Sequence, residues 1–253
     1  MIIQKIINTM LCLIILTGIG HARDKGMKNW RVRPLAQDHV EVFRSPDAET
    51  IYCYSPGLAM CPDGRIIATM DLGGKNLDIL QGSKYDRGRK QWQGKVFTSD
   101  NHGKSWTHRI NFSFMHARPF VAGRSLYVLG QAGDLTIMRS DDWGDTWSEP
   151  VKLTEGEKWH QAPCNVHYAN GHIYLVMEKR IANRVSGWPV SEVAPVLMRA
   201  RIGDDLTNTK NWTFASELGF CDVVCDRELD YFGLPFFPVW YPNTKKLAPG
   251  RHI

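Results

Sequence analysis

The sequence predicts an all-β fold of the β-propeller kind, and three observations predict it. The stretch Ser140-Asp141-Asp142-Trp143-Gly144-Asp145-Thr146-Trp147 reads S-x-D-x-G-x-T-W, and Ser99-Asp100-Asn101-His102-Gly103-Lys104-Ser105-Trp106 repeats its plan. The closing tryptophans lie 41 residues apart, within the ~40–50-residue period that a four-stranded blade leaves in a sequence. Finally, 22 glycines and an aromatic content of 11% suit many short strands joined by tight turns.

The repeated stretch builds a folded turn. Its third residue accepts hydrogen bonds from turn amides, its glycine takes a backbone conformation that side chains disfavour, and its tryptophan folds back over the strand after it. Asn101 replaces the acid in the first copy and can still accept a hydrogen bond.

The two stretches resemble the Asp boxes, or BNR repeats, of the sialidase (neuraminidase) superfamily. The resemblance implies a sialidase-like six-bladed β-propeller, with the boxes joining the third and fourth strands of a blade at the rim, far from the active site. It covers most of residues 50–215, and three blades and a fraction are counted in the sequence. A propeller must close on itself or leave a sheet edge exposed, so the expectation is a propeller incomplete in this chain.

The strands are taken in chain order. Pro56–Cys61 and Arg65–Met70 flank the hairpin signal Pro62-Asp63-Gly64. Asp71–Gln93 reads as a long polar loop, and Gly94–Ser99 and Thr107–Asn111 flank the first box. The second blade runs through Pro119–Ala122, a turn at Gly123-Arg124, Ser125–Gly130, Leu135–Arg139, the second box and Pro150–Leu153. A third starts at Pro163, turns at Asn170-Gly171, continues through Ile173–Met177 and Val196–Ile202, and reaches Trp212 by a turn without the box pattern. Pro238–Leu247 reads as the opening hairpin of a fourth.

Residues 1–22 read as a secretory signal peptide: Lys5 is the only charge, Met10–Gly20 is apolar, and Gly20-His21-Ala22 places small residues at the cleavage positions. The remaining span, 23–253, is then the propeller segment of a secreted or periplasmic protein. The apolar core is too short for a bilayer span, so no membrane span is expected in the mature chain. The net charge of +5 is spread out, with no basic run longer than Lys245-Lys246, which argues against a nucleic-acid partner. Five cysteines remain after residue 22, an odd number, and Cys221-x-x-x-Cys225 lacks a second ligand pair. Neither a metal nor a cofactor is expected.

Each blade begins its innermost strand with a proline: Pro56, Pro119 and Pro163. Residues just before these prolines are expected at the channel mouth, where propellers bind ligands. In sialidases the first such segment reads F/Y-R-I-P and its Arg clamps the sialate carboxylate. Here it reads Cys53-Tyr54-Ser55-Pro56, with Tyr54 at that place. His116-Ala117-Arg118-Pro119 and His160-Gln161-Ala162-Pro163 each put a histidine three residues before proline, suited to proton transfer or ligand hydrogen bonding. Arg118 would hold a carboxylate or pair with Asp134. Asp71, Asp78 and Asp86 compete for the place of the sialidase acid/base Asp, and Glu178, beside Arg180, is the further acid. Trp92, Trp143, Trp159 and Trp188 are candidates to stack on sugars. The candidate catalytic set is therefore His116, His160, Tyr54, Asp71 and Glu178, with Arg118, Arg180 and Trp159 binding substrate.

The leading expectation is an exported sialidase-like glycoside hydrolase that acts on an acidic or deoxy-sugar glycan and lacks the usual first clamp arginine. Glycosidases use two carboxyl groups, whereas sialidases use a Tyr nucleophile, a role open to Tyr54 or Tyr231. A polysaccharide lyase using His and Tyr on uronate glycans, and a non-catalytic glycan-binding propeller, are the alternatives.

Overall fold

Three short turns organise the chain, because each reverses an inner strand onto its neighbour. The turn after Cys61 is closed by the Arg65 carbonyl accepting the Cys61 amide at 2.8 Å. Gly123-Arg124 joins the paired residues Ala122 and Ser125, and Asn170-Gly171 joins Ala169 and His172. Asn170 and Gly171 have φ of 49° and 71°, the two positive values that a two-residue hairpin of matching twist requires.

The computed structural model describes residues 38–87, 90–160, 166–181 and 193–217. The chain divides into two compact units, Met1–His39 and Val40–Ile253, and every strand belongs to the second. The expected signal peptide, Cys164, Cys221, Cys225, Trp188, Tyr231 and the hairpin at 238–247 lie outside the described residues. Among the described residues no helix is long and apolar enough to cross a membrane.

Among the described residues thirteen strands form three antiparallel sheets. The first contains β1 (Ile51–Met60), β2 (Ile66–Gly74), β4 (Lys90–Ser99) and β5 (Thr107–Phe112), with β3 (Tyr85–Arg87) pairing the start of β4. The second is β6 (Met115–Ala122), β7 (Ser125–Ala132), β8 (Asp134–Ser140) and β9 (Val151–Lys152). The third is β10 (His167–Ala169), β11 (His172–Arg180), β12 (Val193–Arg201) and β13 (Trp212–Phe214). The second and third are up-and-down meanders, the strand order of a propeller blade, and the first follows the same order once the short inserted β3 is set aside.

The expected loop 71–93 is shorter than its polarity suggests. β2 runs on to Gly74, a 3-10 turn covers Leu77–Ile79, and Tyr85 pairs with Trp92. Two aromatic strand formers opposite each other outweigh the charged residues around them.

The sheets stack through their faces. One core, including Ile67, Val96, Phe112, Phe114, Leu126, Val128 and Met138, lies between the first and second sheets, with Trp143 and Trp147 packed on it. Another, including Tyr127, Leu129, Ile137, Trp159, Ile173, Met177, Met198 and Trp212, lies between the second and third. The middle sheet is covered on both sides, so β7 is buried from Ser125 to Gln131 without alternation. Fully burying one such Leu, Ile or Phe side chain contributes roughly 1.5–3 kcal/mol. Where β1 meets β6 the backbones come so close that a Cβ on Gly57 would lie 2.6 Å from Pro119 Cδ, which excludes any side chain there.

The two boxes share one hydrogen-bond scheme. Gly103 and Gly144 amides donate to Ser99 and Ser140 hydroxyls at 2.9 and 2.7 Å, and Ser105 and Thr146 amides donate to Asn101 and Asp142 Oδ1 at 2.9 and 2.8 Å. The residue before each glycine, His102 or Trp143, has positive φ as well. Trp147 Nε1 donates to the Gly144 carbonyl at 3.1 Å. Trp212 closes the box-less third turn in a related way, donating to the Leu206 carbonyl at 2.9 Å. Arg65 ties the first two turns together, reaching Asp100 at 2.5 Å and Asp145 at 2.8 Å, and Arg139 links Asp141 to Asp205 of the third.

Partial burial raises the pKa of Asp142, but bonds from the Thr146 hydroxyl, the Thr146 amide and Ser140 outweigh it and hold the carboxyl at about 2. The unfolded value is near ~3.9, so this group's stabilisation is complete above about pH 4 and is lost as pH falls towards 2. Asp142→Asn, which copies the first box, is expected to keep the turn and to lose less stability than the parent between pH 4 and pH 2. Parallel acid losses in melting temperature for the two proteins would contradict the assignment.

Candidate functional site

Strand direction sorts the chain's ends into two groups. The inner hairpins and the boxes share one end of the sheets, while the starts of β1 and β6 and the ends of β2, β7 and β11 share the other. Tyr54, Asp71, His116, His160 and Glu178 lie at this second end.

The inner strands of the first two sheets are irregular there. β1 is bulged between Tyr54 and Gly57 and β6 between Met115 and Arg118. Ser55 and His116 sit in these bulges with φ of 48° and 53°, positive values uncommon for residues with a side chain. Immediately before each bulge Tyr54 pairs with Asp71, and Met115 with Gln131. In the third sheet the Glu178 carbonyl accepts the His160 amide at 2.8 Å, and Trp159 bridges to Lys179. Asp71, Gln131 and Glu178 thus hold equivalent positions, each six residues after the one that closes its inner hairpin: Arg65, Ser125 and His172.

This register corrects the alignment on prolines. By strand pairing His160 corresponds to Tyr54 and Met115, whereas His116 is the bulged residue after that position. The two imidazoles still meet, with ring centroids 6.2 Å apart, because the bulge turns His116 towards the third sheet.

Asp71 is not the loop carboxylate its sequence context suggests. It lies within β2 and is 1% exposed. Its Oδ2 accepts the His116 amide at 2.5 Å, and its buried Oδ1 has no hydrogen-bond partner of normal geometry among the described residues. Burial pushes its pKa up to about 7, against the opposing effects of the His116 amide, Ser55, the Ala117 amide and the Arg118 charge. Its competitors lie apart from this cluster: Asp78 in the 3-10 turn and Asp86 in β3, where it accepts a bond from Gln91.

His116 Nδ1 lies 2.9 Å from the His160 carbonyl oxygen. A carbonyl only accepts, so Nδ1 carries the proton and Nε2 keeps the lone pair. Burial lowers the His116 pKa, helped by His160 and Arg118 and opposed by the carbonyl bond and Glu178. Gln131 Nε2 donates to the same carbonyl at 2.8 Å, and its Oε1 accepts the Gly133 amide at 3.1 Å. His160 Nδ1 lies 3.3 Å from Glu178 Oε2, and the Glu178 side chain is part-exposed. Gln131 was not anticipated from the sequence, since a carboxamide carries no catalytic signature, although its spacing from the hairpin matches that of the two acids.

The remaining candidates fall in different places. Tyr54 is exposed opposite Asp71, its ring against Tyr52. Arg118 donates from Nη1 to the Pro56 carbonyl and lines a groove of about 650 Å³ along the inner strands, walled by Pro56, Met60, Phe120 and Tyr168. Neither imidazole lines that groove. Asp134, offered as an Arg118 partner, instead orders the segment before His160 through Thr154, Gly156 and Glu157. Arg180 is half-buried, its amide bonded to the Lys158 carbonyl. Trp159 is a correction: it is 5% exposed, in the core against Phe214 and below the Lys179 ammonium, which leaves little ring face for a sugar. Trp143 also packs against core. Cys53 and Cys61 are free thiols, and among the described residues no group of three or more His, Cys, Asp or Glu is placed to hold a metal ion.

No family model and no curated protein matches the sequence. Among solved structures the chain is similar to an α-L-arabinanase of Penicillium chrysogenum complexed with arabinobiose, at 15% identity and a TM-score of 0.44 over 67% of this chain and 50% of that one. It is similar to an α-L-arabinofuranosidase of Lactobacillus brevis at 15% identity and 0.46, over 68% and 57%. A variant NanB sialidase of Streptococcus pneumoniae matches at 10% and 0.44, over 68% and 41%. The chain spans about half the length of these structures.

This geometry has two measurable outcomes. Nitrogen-edited NMR of the imidazoles is expected to find His116 neutral at pH 7 with its proton on Nδ1 and a midpoint below the ordinary histidine value; an Nε2–H tautomer would contradict it. Asp71 has a folded pKa above its unfolded one, so the folded state keeps a proton that the unfolded chain releases, and stability falls as pH rises from about 4 to about 7. Asp71→Asn can still accept the His116 amide and lacks this titration. Its stability relative to the parent should rise across that window by on the order of 4 kcal/mol, and a difference that does not vary with pH would sink the assignment.

Proposed function

We propose that the chain is the channel-bearing part of an exported, sialidase-like propeller that hydrolyses glycosidic bonds in an acidic or deoxy-sugar glycan. The observation that carries this reading is the pair Asp71 and Glu178, two carboxyl groups at equivalent positions of the first and third sheets in unlike environments. Glycosidases need one carboxyl group to deliver a proton and a second to act as base or nucleophile. Unlike environments are what separate those roles.

Asp71, held near 7 by burial, is the proton donor in this scheme. Its buried Oδ1, without a hydrogen-bond partner of normal geometry among the described residues, is the atom that would hold the proton. Glu178, part-exposed and beside His160, would activate water or attack the anomeric carbon. Arg118 and Arg180 would attract a sugar carboxylate. With Tyr54 in place of the first clamp arginine, ordinary sialidase activity should be weak or absent.

One observation favours a second reading. His116 presents an unprotonated Nε2 in a site that disfavours its cation, as a base abstracting the proton beside a uronate carboxylate would require. Tyr54 would then return a proton to the leaving oxygen.

Purified full-length protein screened on arabinan, sialosides and polyuronates separates the readings. Hydrolysis should release reducing sugar without unsaturated products, decline above about pH 7, and fall at least ~100-fold in Asp71→Asn and in Glu178→Gln. Ultraviolet-absorbing unsaturated products would replace the hydrolase by a lyase, and binding without turnover would leave a glycan-binding propeller.

A further inference from the structure

One row of side chains crosses the first sheet beside the candidate acid. Tyr52 pairs with Gly73, Gly73 with Trp92, and Trp92 with Tyr85, so four strands contribute three aromatic residues and one glycine to a single line. Tyr54 stands two pairs further in, opposite Asp71. Alternation puts Tyr52, Tyr54, Gly73 and Asp71 on one face of the sheet, the face from which Asp71 reaches His116.

The glycine shapes this row. A Cβ on Gly73 would lie 3.1 Å from Trp92 Cδ1 and Nε1 and 3.2 Å from Tyr54 Cε2, so two rings close over a position that carries no side chain. Tyr52 and Tyr54 meet edge to face at 6.3 Å, and Tyr85 and Trp92 tilt at 6.1 Å. The patch is also fixed: the Tyr52 hydroxyl donates to the Glu49 carbonyl at 2.9 Å. Yet it is not core. Tyr52 and Tyr54 remain 43% and 46% exposed, although burial of such rings is favourable.

We infer that Tyr52, Tyr54, Tyr85 and Trp92, closed over Gly73, form a stacking subsite for a sugar ring of the glycan held at the Asp71 end of the sheet. The inference rests on the proposed glycan-cleaving function and deepens it. Aromatic faces carry negative charge density and attract the polarised C–H bonds of a sugar's less polar face. A ring stacked here lies two residue pairs from the acid and on the same face of the sheet, so it belongs to the glycan being cleaved rather than to a remote binding site. Gly73 is the selector: any side chain there would push Trp92 and Tyr54 apart.

The test uses the full chain carrying Asp71→Asn, so that binding is measured without cleavage, and titrates arabinotriose, 3′-sialyllactose and digalacturonate by saturation-transfer NMR and tryptophan fluorescence. At least one probe should transfer saturation to its ring protons from the aromatic envelope. Adding Trp92→Ala or Gly73→Val should weaken that probe's binding about tenfold or more, while Tyr168→Ala, an exposed aromatic in the groove, should leave it unchanged. Equal binding with and without Trp92→Ala overturns the subsite, as does the failure of all three probes to bind. The function is judged separately: if Asp71→Asn cuts as fast as the parent, the acid assignment fails while the subsite stands or falls on binding alone.

Discussion

A polar side chain on the second strand of one sheet reaching across to backbone at the start of the next is the interaction on which the rest of the site depends. Asp71 accepts the amide of the bulged His116, and Gln131 donates to the carbonyl of His160. Bulging an inner strand takes its backbone groups out of the ladder, and buried backbone groups must find partners. Here the partner comes from the neighbouring sheet. Thr69 and Arg118 make further crossings, to the Ala117 and Pro56 carbonyls. Sheet packing and site geometry are therefore one problem, and a shift of the first sheet against the second would carry His116 with it.

Equivalent positions then acquire different chemistry. Three carboxylates at Asp71, Gln131 and Glu178 would repel one another and raise one another's pKa values. A carboxamide at the middle position avoids this, and it supplies an N–H donor where an ionised acid can only accept. With His116 Nδ1 also donating, the His160 carbonyl takes two bonds, which fixes both the path of the chain before the third sheet and the tautomer of His116. At the opposite end the boxes form turns held by their own hydroxyls and amides, with arginines bridging successive turns. The candidate site and the box turns occupy opposite ends because antiparallel strands alternate direction.

Much of the architecture was legible in the sequence. The turn residues at Pro62-Asp63-Gly64, Gly123-Arg124 and Asn170-Gly171 and the two boxes specify local conformations by sterics, so they mark strand ends closely. The bulges were not legible, because Ser55 and His116 adopt positive φ with no glycine to announce it. Counting back from the prolines aligns His116 with His160, whereas strand pairing aligns His160 with Met115, and it is the bulge that brings the two rings together. Asp71 read as a loop acid because Gly73-Gly74 come just after it, and Trp159 as a ring that could stack on a sugar because it lies outside the boxes. In both cases pairing across the sheet decides burial. Gln131 was hidden for want of charge, although the six-residue spacing from each hairpin would have found it.

Asp71 is also the strongest physical argument for proposing that this end of the sheets does chemistry. An asparagine could accept the His116 amide equally well, without the penalty of desolvating a carboxylate. What the acid adds is a proton that leaves near neutral pH, in surroundings that disfavour its loss. A purely structural position gains nothing from such a proton and forfeits stability at neutral pH to keep it. Buried ionisable groups held near the working pH are concentrated where a protein transfers protons. In the proposed scheme Glu178, His116 and the aromatic row beside Asp71 would supply a second carboxyl group, a base and a surface for a sugar ring.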